Sequence, residues 1–233
     1  MVASRRRGLT QVAIALTGVE AYELVRRLLR PDWPLAERHA REVLGLERMA
    51  HVAWETPLQA AVLGVPGLEP ALELVYFAAH FLLTAGFFLW LYRRSPAGFR
   101  RFRDAFLAGT AIALVVHWRF PTAPPRLAGV GLVHPGLGLA GLSNPVAAVP
   151  SLHAGWALGV GVGVVRYARP LAWRLAGALY PAAVTFTVVA TGNHFLLDAV
   201  AGMAVLGAGF AVASVLDLWL RRGVEQSGSS PGS

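Results

Sequence analysis

Six apolar stretches dominate this chain, at 9–29, 72–92, 106–118, 152–167, 171–190 and 195–220, and they restrict its fold more than any other feature. A helix crossing the hydrocarbon core of a bilayer needs about 20 residues. Inside lipid, every backbone N–H and C=O must be satisfied within the chain, and helices meet that demand. Hydrophobic residues make up 55% of the 233 and charged residues 15%, well short of the roughly one quarter usual in soluble domains. The expectation is an all-α, six-transmembrane helix bundle. It would form one integral membrane domain over 1–222, with a disordered Ser/Gly-rich tail at 223–233.

The formal charge of +8 comes with no lysine at all. The arginines cluster at the ends of apolar runs, where they orient spans and meet anionic lipid, so nucleic acid is not an expected partner. The absence of cysteine removes disulfides, thiolate catalysis and cysteine metal sites. Arg5-Arg6-Arg7 before the first run has the look of a signal peptide. No small-residue cleavage site precedes Glu20 and Glu23, so the run reads as a retained span. Residues 35–65 mix charges with Leu44, Leu46, Met49, Val52 and Trp54, and read as one amphipathic helix along the interface. Six spans put both termini on one side. The basic segments 93–103 and 166–174 share that side with Arg221-Arg222, which makes it cytoplasmic. The opposite, extracytoplasmic side receives the 30–70 segment, the Pro/Gly-rich loop at 121–149 and the turn at 191–193.

Four chemistry-bearing residues fall on that outer side: Arg119, Arg126, His153 and His194. Asp198 follows His194 by four residues, so a helix would put the carboxylate one turn from the imidazole on the same face. That suits an acid that fixes a histidine tautomer and steadies its positive charge. Phosphoryl transfer needs a nucleophile, a proton donor for the leaving oxygen and cations around the phosphate. His194 can attack and become a phosphohistidine, His153 can protonate the leaving alcohol, and Arg119 and Arg126, framing the loop 119–153, can bind phosphate oxygens. Ser151 is either a ligand or a helix N-cap, and Asn193 either a cap or a phosphate ligand. His80, His117 and His134 read as structural. His39 and His51 read as a solvated or interfacial face, and Glu42, Glu47 and Glu55 either as a charged interfacial face or as the lining of a headgroup entrance. Gly155, Gly159 and Gly163 give one helix a smooth face for a neighbour.

Three blocks carry a resemblance. Arg119-x6-Arg126, Pro150-Ser151-Leu152-His153 and His194-x3-Asp198 resemble, in order, the three motifs of the type-2 phosphatidic acid phosphatase superfamily, whose fold is shared with vanadium haloperoxidases. Arginine stands for the lysine of the first block, and Leu127 for its proline. Leu152 replaces the glycine of the second, and Thr187-Val188 replace the Ser-Arg of the third. Pro124-Pro125-Arg126 and Thr191-Gly192-Asn193-His194 are similar to the inositol-phosphorylceramide synthase-like branch. The resemblance covers about 117–202. It implies metal- and cofactor-free hydrolysis of a lipid phosphate, such as phosphatidate or a polyprenyl (di)phosphate, or transfer of a phospho-headgroup to a hydroxyl acceptor such as inositol or a lipid alcohol. A non-enzymatic haem or metal carrier and a transporter are the competing classes. The first lacks ligand spacing, and the second lacks internal repeats.

Overall fold

The structure, a computed structural model, describes residues 32–133 and 145–228. The expected first span, His134 and the last residues of the expected tail lie outside them. Seven helices are described: α1 (Trp33–Met49), α2 (Glu55–Leu63), α3 (Leu68–Arg94), α4 (Pro96–Arg119), α5 (Leu152–Tyr167), α6 (Leu171–Ala190) and α7 (Leu196–Gly228). Their starts follow local chemistry. The Asp32 side chain accepts from the Leu35 N–H at 3.1 Å ahead of α1, and Ser95 accepts from Gly98 at 3.1 Å ahead of α4, with Pro96 at its first position.

Three of these helices are long and apolar enough to cross a membrane: α3, α6 and the Leu196–Leu220 part of α7. The other two expected spans are helical too, yet each falls short for a visible reason. Helix α4 opens with Arg100, Arg101, Arg103 and Asp104, and α5 has only 16 residues. Helix α7 runs on past residue 223 to Gly228, where a disordered tail was expected.

The expected single helix over 35–65 is instead two, α1 and α2, broken at residues 50–54, where His51 takes a left-handed φ of 59°. Ala36, Ala40, Val43 and Glu47 form the buried stripe of α1, at the three- and four-residue spacing of one helix face. That stripe packs with Ala123, Ala128, Val146 and Phe195, which joins α1 to the long loop and the start of α7. His39 belongs to this contact, not to a solvated face. Its Nδ1 donates to the Pro121 carbonyl at 2.7 Å, and its ring stacks on Phe120 at 3.9 Å.

The bundle core lies among α3, α4, α5 and α7, where Phe87, Leu91, Phe102, Phe106, Val160 and Leu206 pack together. The glycine stripe of α5 makes this close packing possible. Gly159 lies under Phe106, and Gly163 lies under Phe87. Gly155 meets Gly202 of α7 so closely that a Cβ on Gly202 would fall on the Ser151 carbonyl oxygen. That approach brings the first turns of α5 and α7 side by side.

Candidate active site

Ser151 begins α5 as its N-cap, its Oγ accepting from the Ala154 N–H at 3.4 Å. Its own N–H donates to the Asp198 carbonyl at 2.9 Å, which ties the start of α5 to the start of α7. The imidazoles of His153 and His194 consequently face each other with ring centroids 6.1 Å apart.

The His194 ring is held through Nδ1. It lies 2.9 Å from the Ala148 carbonyl and 3.4 Å from Asp198 Oδ2. A carbonyl can only accept, so Nδ1 carries the hydrogen and Nε2 the lone pair. Ala148 is itself fixed, because its N–H donates to the Thr122 carbonyl at 3.0 Å while Thr122 donates to Val146 at 2.9 Å. Asp198 is fully buried, and its Oδ2 also accepts from the Phe195 N–H at 2.8 Å. The four-residue spacing thus gives Asp198 two tasks: it closes the first turn of α7 and borders the histidine ring.

On the His153 side, α3 supplies the wall. Its helix widens into a π turn at Val75–Ala79, a feature that often marks functional positions. The Tyr76 carbonyl inside this turn is bonded to the His153 ring, while the Tyr76 ring stacks on His153 at 4.1 Å. His80 follows one turn later, its ring 5.0 Å from His153 and its Nδ1 in a 2.9 Å hydrogen bond with the Tyr180 hydroxyl. His80, read as structural, thus bonds one helix to another, and the same bond places its ring against His153. The Nε2 of His153 has no hydrogen-bond partner among the described residues.

Arg126 is buried, and its N–H donates to the Gly192 carbonyl at 3.0 Å. Gly192 has a φ of 65°, and a Cβ there would lie 3.2 Å from the Arg126 Cβ, so this turn requires glycine. Gln59 of α2 pins the neighbouring loop through two bonds with the Val133 backbone, at 2.9 and 3.0 Å. The Arg126 guanidinium faces Tyr76, Glu73 and Glu69. Burial lowers its pKa from the ordinary arginine value, and these three groups oppose that shift. Tyr76 therefore joins the arginine to the histidines.

The remaining expected site residues fall outside this cluster or at its edge. Arg119 is exposed, with its guanidinium 4.5 Å over the Trp118 ring. His117 occupies the buried face of α4, its Nε2 donating to the Pro150 carbonyl at 3.2 Å. Two residues further on, a helix has turned by roughly 200°, which carries Arg119 to the outside. Asn193 is buried at the turn, its Nδ2 donating to Thr191 Oγ1 at 2.6 Å, so its side chain caps the turn and not α7.

Sequence reasoning passed over Glu69 and Glu73, gave Tyr76 no part in the site, and placed Glu47 and Glu55 on a charged interfacial face or at a headgroup entrance. Both of the latter are buried. Glu55 Oε1 accepts from the Leu196 N–H at 3.1 Å, and Glu47 Oε1 from the Leu197 N–H at 2.7 Å. A usable signal existed for Glu69 and Glu73, which stand one turn apart at the head of a span where carboxylates are costly and seldom idle. Among the described residues, no three of His, Asp and Glu are grouped so that they could hold a metal ion.

Comparison with known proteins gives one match. The family model of the PAP2 superfamily aligns with residues 41–212, which takes in α2 to α6, the long loop and about half of each of α1 and α7. No curated protein and no solved structure matches the chain. The family model spans well over half of the sequence and contains all three motif blocks, with both histidines that meet at the paired helix starts. The chain is a member of the PAP2 superfamily.

Proposed function

We propose that this protein hydrolyses a lipid phosphate without a metal, through a phosphohistidine on His194, at the extracytoplasmic face of a membrane in which both termini are cytoplasmic. The observation that carries the reading is the pairing of His194, with Nε2 left as the lone-pair nitrogen, and His153 at 6.1 Å between ring centroids. His194 Nε2 attacks phosphorus, a P–N bond forms, and the P–O bond to the lipid alcohol breaks. His153, protonated in the presence of the dianionic substrate, gives its Nε2 proton to that leaving oxygen. Arg126 holds phosphate oxygens, with Ser151 and Asn193 as further phosphate ligands. Water then gives up a proton to His153 and attacks phosphorus, the P–N bond breaks, and His194 is restored. The Ala148 carbonyl and Asp198 offset the positive charge on His194 throughout. Membership of a superfamily of phosphatases and phosphotransferases supports this reading.

The same intermediate can pass its phosphoryl group to a hydroxyl instead of water, as in the inositol-phosphorylceramide synthase-like branch. Glu69 and Glu73 beside Arg126 favour including that arm, because carboxylates accept hydrogen bonds from polyol hydroxyls. The test is a panel of lipid phosphates assayed for free phosphate, with and without inositol or a lipid alcohol, alongside trapping of the phosphoenzyme by alkaline quench. A base-stable, acid-labile phosphoprotein that disappears in His194→Ala is expected. Turnover surviving in His194→Ala overturns the assignment.

A further inference from the structure

Resting on the histidine reading above, we propose that Glu47 and Glu55 share one proton and act together as positioning residues for the His194–Asp198 turn, which keeps its working geometry only while that proton is in place. The first N–H groups of a helix have no acceptor within the helix. At the start of α7 three consecutive ones are taken by three carboxyl groups: Phe195 by Asp198, Leu196 by Glu55 and Leu197 by Glu47. The three acids come from three helices. Negative charge is favoured at a helix N-terminus, but three full charges crowded in one buried place repel strongly.

Glu47 Oε2 is buried with no N–H or O–H to accept from, and the Glu47 carboxyl is in hydrogen-bonding contact with that of Glu55. Two carboxyl groups attract each other only with a proton between them. Glu47 holds it. Burial pushes this carboxyl up to about 8, Glu55 and Asp198 add to the rise, and the Leu197 N–H opposes it. The charged and titratable groups facing the pair are therefore each other and Asp198, with His194 beyond it. Below that pH the pair is a monoanion that caps two N–H groups. Above it a second buried charge appears, one carboxylate is expelled, and the turn carrying Asp198 and His194 loosens.

The test uses the full chain in mixed micelles with phosphatidate as probe, and compares wild type with Glu47→Gln, Glu55→Gln and the two alanine variants. A glutamine accepts the same backbone N–H and donates to its partner without a titratable proton, so it restores the bond that alanine removes. Turnover by the wild type is expected to fall above pH 8. In the glutamine variants the alkaline limb moves up by about one unit or more, a tenfold change in the deprotonation constant. The alanine variants lose about tenfold or more in kcat with little change in KM. Amide exchange of the 194–198 segment gives a readout that needs no substrate: at pH 9 it is faster in wild type than in the glutamine variants, and at pH 6.5 it is equal. Glutamine variants with the wild-type alkaline limb and wild-type exchange at pH 9 overturn the proposal. Where phosphatidate is not turned over at all, exchange alone decides the shared proton, and the lost turnover counts only against the histidine reading.

Discussion

Helix α7 is held in two different ways along its length. Its shaft is placed by shape: Gly202 meets Gly155, and Leu206 packs among Phe87, Phe102 and Phe106. Its first turn is placed by directed bonds from Asp198, Glu47, Glu55 and the Ser151 N–H. Dispersion and close packing fix how near two rods can lie, but they tolerate small rotations. Hydrogen bonds fix an angle. The proposed nucleophilic role of His194 calls for both, and the molecule separates the two tasks by position.

The largest expected break in this comparison is at the tip. His153→Ala removes the proposed proton donor and should lower kcat by about 10²–10⁴, the usual worth of general acid catalysis. Thermal stability should hardly change. A full-speed variant would remove His153 from the reaction. Next comes the junction. Gly202→Ala places a methyl on the Ser151 carbonyl, and overpacking of this kind costs about 1–3 kcal/mol. Here the fall in unfolding midpoint should accompany the fall in activity, since both helix starts are displaced. Stability unchanged alongside lost activity would show that the shaft and the tip are not separate. The smallest effects contrast two arginines. Arg126→Ala should raise KM by about tenfold or more, the scale of a hydrogen bond to a charged group. Arg119→Ala should stay within about twofold, as for an exposed side chain. Equal losses in the two would mean that Arg119 turns inward when substrate binds.

The parts of the molecule that follow from periodicity were legible in the sequence. The apolar runs gave the positions of the described long helices and the glycine stripe gave a packing face, while His194 and Asp198 come within 3.4 Å although His194 lies in the turn before α7 and not on a shared helix face. What escaped were features created by meeting partners. Glu47 and Glu55 sit among arginines and other glutamates and look like solvent-facing charge, and only the break at 50–54 turns both toward α7. Arg119 matched a motif spacing, yet spacing carries no information about which way a helix end faces. His117, two residues earlier, took the buried side. The wall of Tyr76 and His80 needed a π turn, which no simple repeat in an apolar run announces.

That wide turn also sets the lower half of α3. An added residue within a helical turn rotates everything beyond it by roughly 100° relative to an unbroken rod. Val75–Ala79 therefore acts as a fixed swivel. It allows Tyr76 to face one helix start while Phe87 and Leu91, further down, are aimed into the aromatic cluster. Straightening the rod would satisfy one of these two orientations and forfeit the other. The wall beside His153 and the buried aromatic layer are thus geared to each other through a single irregular turn.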